Sequence, residues 1–157
     1  MNIFITRIFF LTVVTFVCIQ TSAQHNIVGK WVSSQDGDTG IFSFQKNGFL
    51  AITVEGETMG GELFDFEGMD ACVTYTLKPT KKPNIFELDI YIRSASSDSS
   101  IFLTAPGLIE FIDKSSIKMA INFEHEEIGP LTSEQKTKLR PKDLSPASEA
   151  IIFKRIE

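Results

Sequence analysis

Cysteine is nearly absent from this chain: Cys18 and Cys72 are the only two in 157 residues. Once a leader holding Cys18 is removed, no intramolecular disulfide can form, and the fold has to rest on its hydrophobic core. Cys72 stands among alternating residues and reads as a buried structural thiol. Histidine is as scarce, with His25 and His125 alone. A Ser-His-Asp triad would have to recruit His125 from an irregular segment. Glu124-His125-Glu126-Glu127 lacks the second histidine, one helical turn on, that a zinc site of the His-Glu-x-x-His type needs, and reads as a solvated acidic loop. Asp36-Gly37-Asp38-Thr39-Gly40 begins like a calcium loop, but its twelfth position is Asn47 rather than a bidentate glutamate, so it reads as a turn. No catalytic residue, metal or cofactor follows from this set.

Positive charge is missing locally. Between Asn47 and Leu77 there is no Lys, Arg or His, while Glu55, Glu57, Glu62, Asp65, Glu67 and Asp70 all fall there. The whole chain carries −5, which argues against non-specific binding to nucleic acid or to anionic membrane surfaces. Long apolar runs are also missing, except at the start. Arg7 precedes an apolar and small-polar run from Ile8 to Ile19, and a small-residue exit follows at Thr21-Ser22-Ala23. This is the build of a secretory signal peptide over residues 1–23, cut before Gln24. The run is shorter than the roughly 18 apolar residues of a membrane anchor. A lipoprotein cut before Cys18 would need a small residue just ahead of it, where Thr15-Phe16-Val17 stands. The expectation is an exported protein, periplasmic or secreted, with residues 24–157 as one monomeric domain and no membrane span.

Helical periodicity is the last absence. No stretch has both the length and the 3.6-residue period of a crossover helix, so parallel pairing is disfavoured. Alternation fills the chain instead. Phe42 and Phe44, then Leu50, Ile52 and Val54, flank Lys46-Asn47-Gly48, where Asn-Gly predicts a two-residue type I′ hairpin. Val73, Tyr75 and Leu77 form the next run. Phe86, Leu88, Ile90 and Ile92 form another, whose opposite face, Glu87, Asp89 and Tyr91, reads as wet. Ala105-Pro106-Gly107 reads as a turn into Leu108 to Ile112, and Asp113 to Ser116 as another before Ile117, Met119, Ile121 and Phe123. Val28 to Ser33 and Ala150 to Ile156 complete the clear strands, with weaker candidates at Gly61 to Phe66 and Ile101 to Thr104. A short helix at Thr132 to Leu139 has capping-box spacing at Thr132 and Gln135 and is expected to cover an end of the domain. The fold class is all-β: an antiparallel up-and-down meander closing into a barrel of about eight strands, which removes exposed edges.

Gly29-Lys30-Trp31 on the first strand, the meander of hairpins, and Phe153-Lys154-Arg155 on the last strand resemble the lipocalin-like branch of the calycin superfamily, in its small secreted bacterial form. The resemblance implies that Trp31 closes the barrel floor and that Arg155 packs on its indole. A guanidinium over an indole face contributes about 0.5–2 kcal/mol, and lysine replaces it poorly.

Ten of the 14 phenylalanines follow Ala23, many at inward positions. An eight-stranded barrel is close to the size at which side chains either fill the interior or leave room for one small ligand. The residues expected to line such a cavity are Phe44, Ile52, Tyr75, Leu88, Ile90 and Met119, with Tyr75 as the polar handle. The leading expectation is a non-enzymatic domain binding a small apolar molecule. The alternative is an envelope protein-interaction module with a filled core, working through loops such as the acidic Glu55 to Asp70, the serine-rich Ser94 to Ser100 and the basic Lys78, Lys81 and Lys82. A carboxylate enzyme would require Glu62, Asp65 or Glu67 to be buried.

Overall fold

The computed structural model describes residues 26–35, 38–96, 100–125 and 129–156. The leader and His25, Asp36-Gly37 of the calcium-like turn, the centre of the serine run at 97–99, and Glu126-Glu127 beside His125 lie outside the described residues.

The domain is all-β. Ten strands form one antiparallel sheet: β1 (Gly29–Gln35), β2 (Asp38–Phe44), β3 (Leu50–Val54), β4 (Glu57–Gly60), β5 (Phe64–Phe66), β6 (Met69–Pro79), β7 (Ile85–Ser94), β8 (Ile101–Phe111), β9 (Ser116–Ile121) and β10 (Ile151–Arg155). Consecutive strands pair throughout except β4 and β5, which do not pair with each other, and β1 pairs with β10, so the sheet runs β4-β3-β2-β1-β10-β9-β8-β7-β6-β5. Its two ends then meet along a seam. Gly61 N–H donates to Leu50 O at 2.7 Å, Val73 N–H to Gly61 O at 3.0 Å and Tyr75 N–H to Gly48 O at 3.2 Å. The seam requires glycine at position 60, where φ is +91° and a Cβ would stand 2.6 Å from Leu50 O and 2.9 Å from Val73 Cγ2. Any side chain there would force β3 away from β6.

The alternating apolar residues point into one core that contains Trp31, Phe44, Leu50, Leu88, Ile90, Ile109, Ile117 and Met119, all essentially without exposed surface. Aromatic rings tie strands across it: Phe44 meets Tyr75 edge-on at 5.0 Å and Phe42 meets Phe153 at 5.2 Å. Cys72 is buried in β6, and burial pushes its thiol up against the opposing pull of Arg93.

Several local expectations are corrected. Lys46-Asn47-Gly48 forms a three-residue loop, with Gln45 N–H bonded to Phe49 O, and only Gly48 takes a positive φ. Two-residue turns with both central residues left-handed, the I′ pattern, fall instead at Glu55-Gly56 and Glu67-Gly68. The acidic stretch, expected as a loop with one weak strand at Gly61 to Phe66, therefore holds two tight hairpins. Ala105-Pro106-Gly107 is not a turn, because β8 runs through it and merges two expected strands. Pro106 is tolerated because its side of the backbone faces the end of β9, where its carbonyl accepts from Asn122 N–H and no ladder donor is lost.

The helix α1 (Ser133–Leu139) has the expected capping box, with Thr132 Oγ1 accepting from Gln135 N–H and Gln135 Oε1 accepting from Thr132 N–H. Its placement differs from expectation. It packs on the outer face of β7 and β8 rather than over a barrel end, so the face of β7 expected to be wet is covered and Asp89 is buried.

Candidate functional site

Three regions concentrate the chemistry of this molecule. The first is the barrel interior. Phe44 on β2, Ile52 on β3, Tyr75 on β6, Leu88 and Ile90 on β7 and Met119 on β9 all belong to, or pack against, the same core. Leu88 and Ile90 have no accessible surface and Met119 has 1%, so no void of water size borders them and the barrel is filled at that depth. The polar handle is committed as well. Tyr75 is half-buried, its hydroxyl donates to Gln45 O at 3.1 Å, and burial pushes the phenol up.

A clamp is built on the first and last strands. Trp31 and Arg155 are cross-strand partners, and the guanidinium carbon lies 4.2 Å from the indole centroid. Trp31 Nε1 donates to Ile27 O at 2.7 Å. The Arg155 fork donates to Val28 O at 2.8 Å, to Asn26 O, and through Nε to Lys114 O at 3.2 Å. One side chain thus fastens the segment ahead of β1 and the β8–β9 turn to the last strand.

On the outer face, sequence reasoning missed a polar network. Asp89 accepts from Lys136 Nζ at 2.9 Å and Arg140 Nη2 at 2.8 Å; Tyr91 OH lies 3.2 Å from the same carboxylate. Arg140 Nη1 also donates to Gly107 O at 2.6 Å, and Nη2 approaches Glu87 at 3.5 Å. Burial pushes the Asp89 carboxyl up, but the hydrogen bonds and charges of Lys136 and Arg140 outweigh it and hold the group below its ordinary value. The available signal was the pair of cations four residues apart, at the end of the short helix and just past it. Every charged group of the network is partnered, so it fastens α1 to the sheet. His125 Nε2 meets Thr104 O in the same covering segment.

The third region is the acidic end of the seam. β4 and β5 are the terminal strands of the sheet and do not pair with each other. Glu62, Asp65 and Glu67 are all exposed, so none has the burial that carboxylate catalysis would require. Glu62 accepts from Asn47 Nδ2 at 2.7 Å and Asp65 from Gly68 N–H at 3.2 Å, which shapes the hairpins. Among these carboxylates stand exposed apolar side chains: Val54, Met59 at 55%, Leu63 at 64% and Met69. Among the described residues no three His, Cys, Asp or Glu side chains converge as metal ligands, and no helix is long and apolar enough to cross a membrane.

Fold and surface together define a nearly closed antiparallel β-barrel, filled at the depth of Leu88, Ile90 and Met119, with an acidic, partly apolar edge. Comparison with protein-family models, with curated proteins and with solved structures finds no match for this chain.

Proposed function

We propose that this chain is a non-catalytic binding domain of lipocalin-like build that docks a basic, extended segment of a partner protein along its seam. The observation that carries it is the combination on β3 to β6 of terminal sheet strands, exposed Met59, Leu63 and Met69, and six carboxylates with no basic residue between Asn47 and Leu77. An unpaired strand edge offers main-chain donors and acceptors to an added strand, apolar side chains offer contact area, and the one-signed charge selects a cationic partner. With residues 1–23 read as a signal peptide, that partner belongs to the cell envelope or the exterior.

The test is calorimetric titration with three extended peptides in which valine alternates with lysine, glutamate or serine. The lysine peptide alone should bind saturably. Removing three charges with Glu57→Gln, Glu67→Gln and Asp70→Asn should weaken it about tenfold, from roughly 0.5 kcal/mol per exposed charge pair. Equal binding of all three peptides, or an unchanged affinity in the triple variant, overturns the docking assignment.

A small apolar ligand inside the barrel is the second reading, favoured by the short seam and by the aromatic ring of Phe66 in contact with those of Phe64 and Phe102. It requires Phe44, Ile52, Tyr75, Leu88, Ile90 and Met119 to repack around the guest. A stoichiometric lipophilic molecule in organic extracts of the purified protein, lost in Ile90→Trp, would put this reading in place of the first.

A further inference from the structure

The basic loop around Pro79 and Pro83 has no role in the seam or in the barrel, yet it forms one wall of a cavity. Between the β6–β7 turn and the chain returning from α1 lies a pocket of about 280 Å³ lined by Thr80, Lys81, Lys82, Ile85, Leu108, Lys142, Asp143 and Leu144. Its floor is apolar: Leu108 projects from the outer face of β8, and Ile85 and Leu144 are half-buried. Its rim is cationic. Lys81, Lys82 and Lys142 are exposed and make no ion pair among the described residues. The one acid present is already committed: Asp143 accepts from Ser145 N–H at 2.9 Å and Ser148 Oγ at 2.8 Å. Those bonds, with Ser145 foremost and Lys82 adding its charge, hold its carboxyl at about 2, so it stays ionised and the lining carries a net positive charge.

From this juxtaposition of a lysine rim and an apolar floor, we propose that the pocket binds a small amphiphilic anion, an anionic head with a short apolar tail. The volume is just below the roughly 300–1,000 Å³ of typical ligand sites and holds about nine non-hydrogen atoms at roughly 30 Å³ apiece, which limits the tail to a medium chain. Lysine suits the head as a mobile point charge. The inference is independent of the docking proposal, because none of the lining residues lies between Val54 and Asp70.

Titration with sodium octanoate, followed by amide chemical shifts, tests it. Saturable shifts should centre on residues 80–85 and 142–144. The double variant Lys82→Gln, Lys142→Gln should weaken binding about tenfold, since each exposed charge contributes modestly, and Leu144→Asn should weaken it separately through the tail. Because these side chains lie on the surface, the thermal midpoint of each variant serves as the folding control. Octanol binding as well as octanoate would remove the anionic head. Inorganic phosphate binding as well as octanoate would remove the tail. Absence of saturable shifts, or shifts unaltered by the lysine substitutions, overturns the proposal outright.

Discussion

Replacing Arg155 with alanine should lower the unfolding free energy by about 2–3 kcal/mol, the sum of a cation–π contact on a fully buried indole and charge-assisted hydrogen bonds to three main-chain carbonyls, reduced for partial exposure. In a domain of this size that corresponds to a fall in thermal midpoint on the order of 8 °C. Trp31 is the only tryptophan, so its emission reports the site directly and should shift to the red as water reaches the ring. Arg155→Lys should recover little, because an ammonium cannot reach the carbonyls of Asn26, Val28 and Lys114 together or stack as a plane. Urea denaturation of the three proteins, with an unchanged denaturant slope, is the measurement. An unaltered midpoint and emission in the alanine variant would show that the strand pairing of β1 with β10 holds without the clamp.

The second large effect belongs to Asp89. Asparagine at this position leaves the guanidinium of Arg140 and the ammonium of Lys136 without their counter-charge in a partly buried setting, at a cost of about 2–4 kcal/mol. The loss should concentrate on α1, which contributes no buried residue of its own and is bound to the sheet mainly through this carboxylate. Hydrogen exchange over residues 133–139 should accelerate far more than exchange in β7. The pH dependence has a definite sign. The folded-state pKa of Asp89 lies below its ordinary 3.8, so its stabilisation is complete above that value and disappears as pH falls through the lowered one. Wild-type protein should thus release α1 on acidification below about pH 4, whereas Asp89→Asn should show little dependence there. Equal acid sensitivity in both would assign the transition to other carboxylates.

The strands were legible because their signal is local. Period-two alternation in Phe42 to Phe44, Leu50 to Val54, Val73 to Leu77 and Phe86 to Ile92 needs only a neighbouring sheet, and each run became a strand. The short helix was equally plain, since the Thr132 and Gln135 caps satisfy donors within four residues. Where inference failed, a distant residue decided. Pro106 looks like a stop until β9 ends beside it, and Asn47 looks like a left-handed turn residue until Gln45 and Phe49 set a longer loop. The deepest miss was the outer face of β7. A strand with Glu87, Asp89 and Tyr91 on one side reads as solvated, and only the return of residues 129–150 across the sheet supplies Lys136 and Arg140 to bury it.

The sequence alone therefore determined an all-β antiparallel meander, the inward set of core residues and the one-signed charge of residues 55–70, all of which follow from patterns a few residues long. Tertiary structure alone decided that the barrel fills at Leu88, Ile90 and Met119, that β4 and β5 end the sheet without pairing with each other, and that three lysines from two separate segments share one pocket. The reason is that burial and closure depend on side chains brought together from far apart in the chain, and no local period encodes which of them arrive.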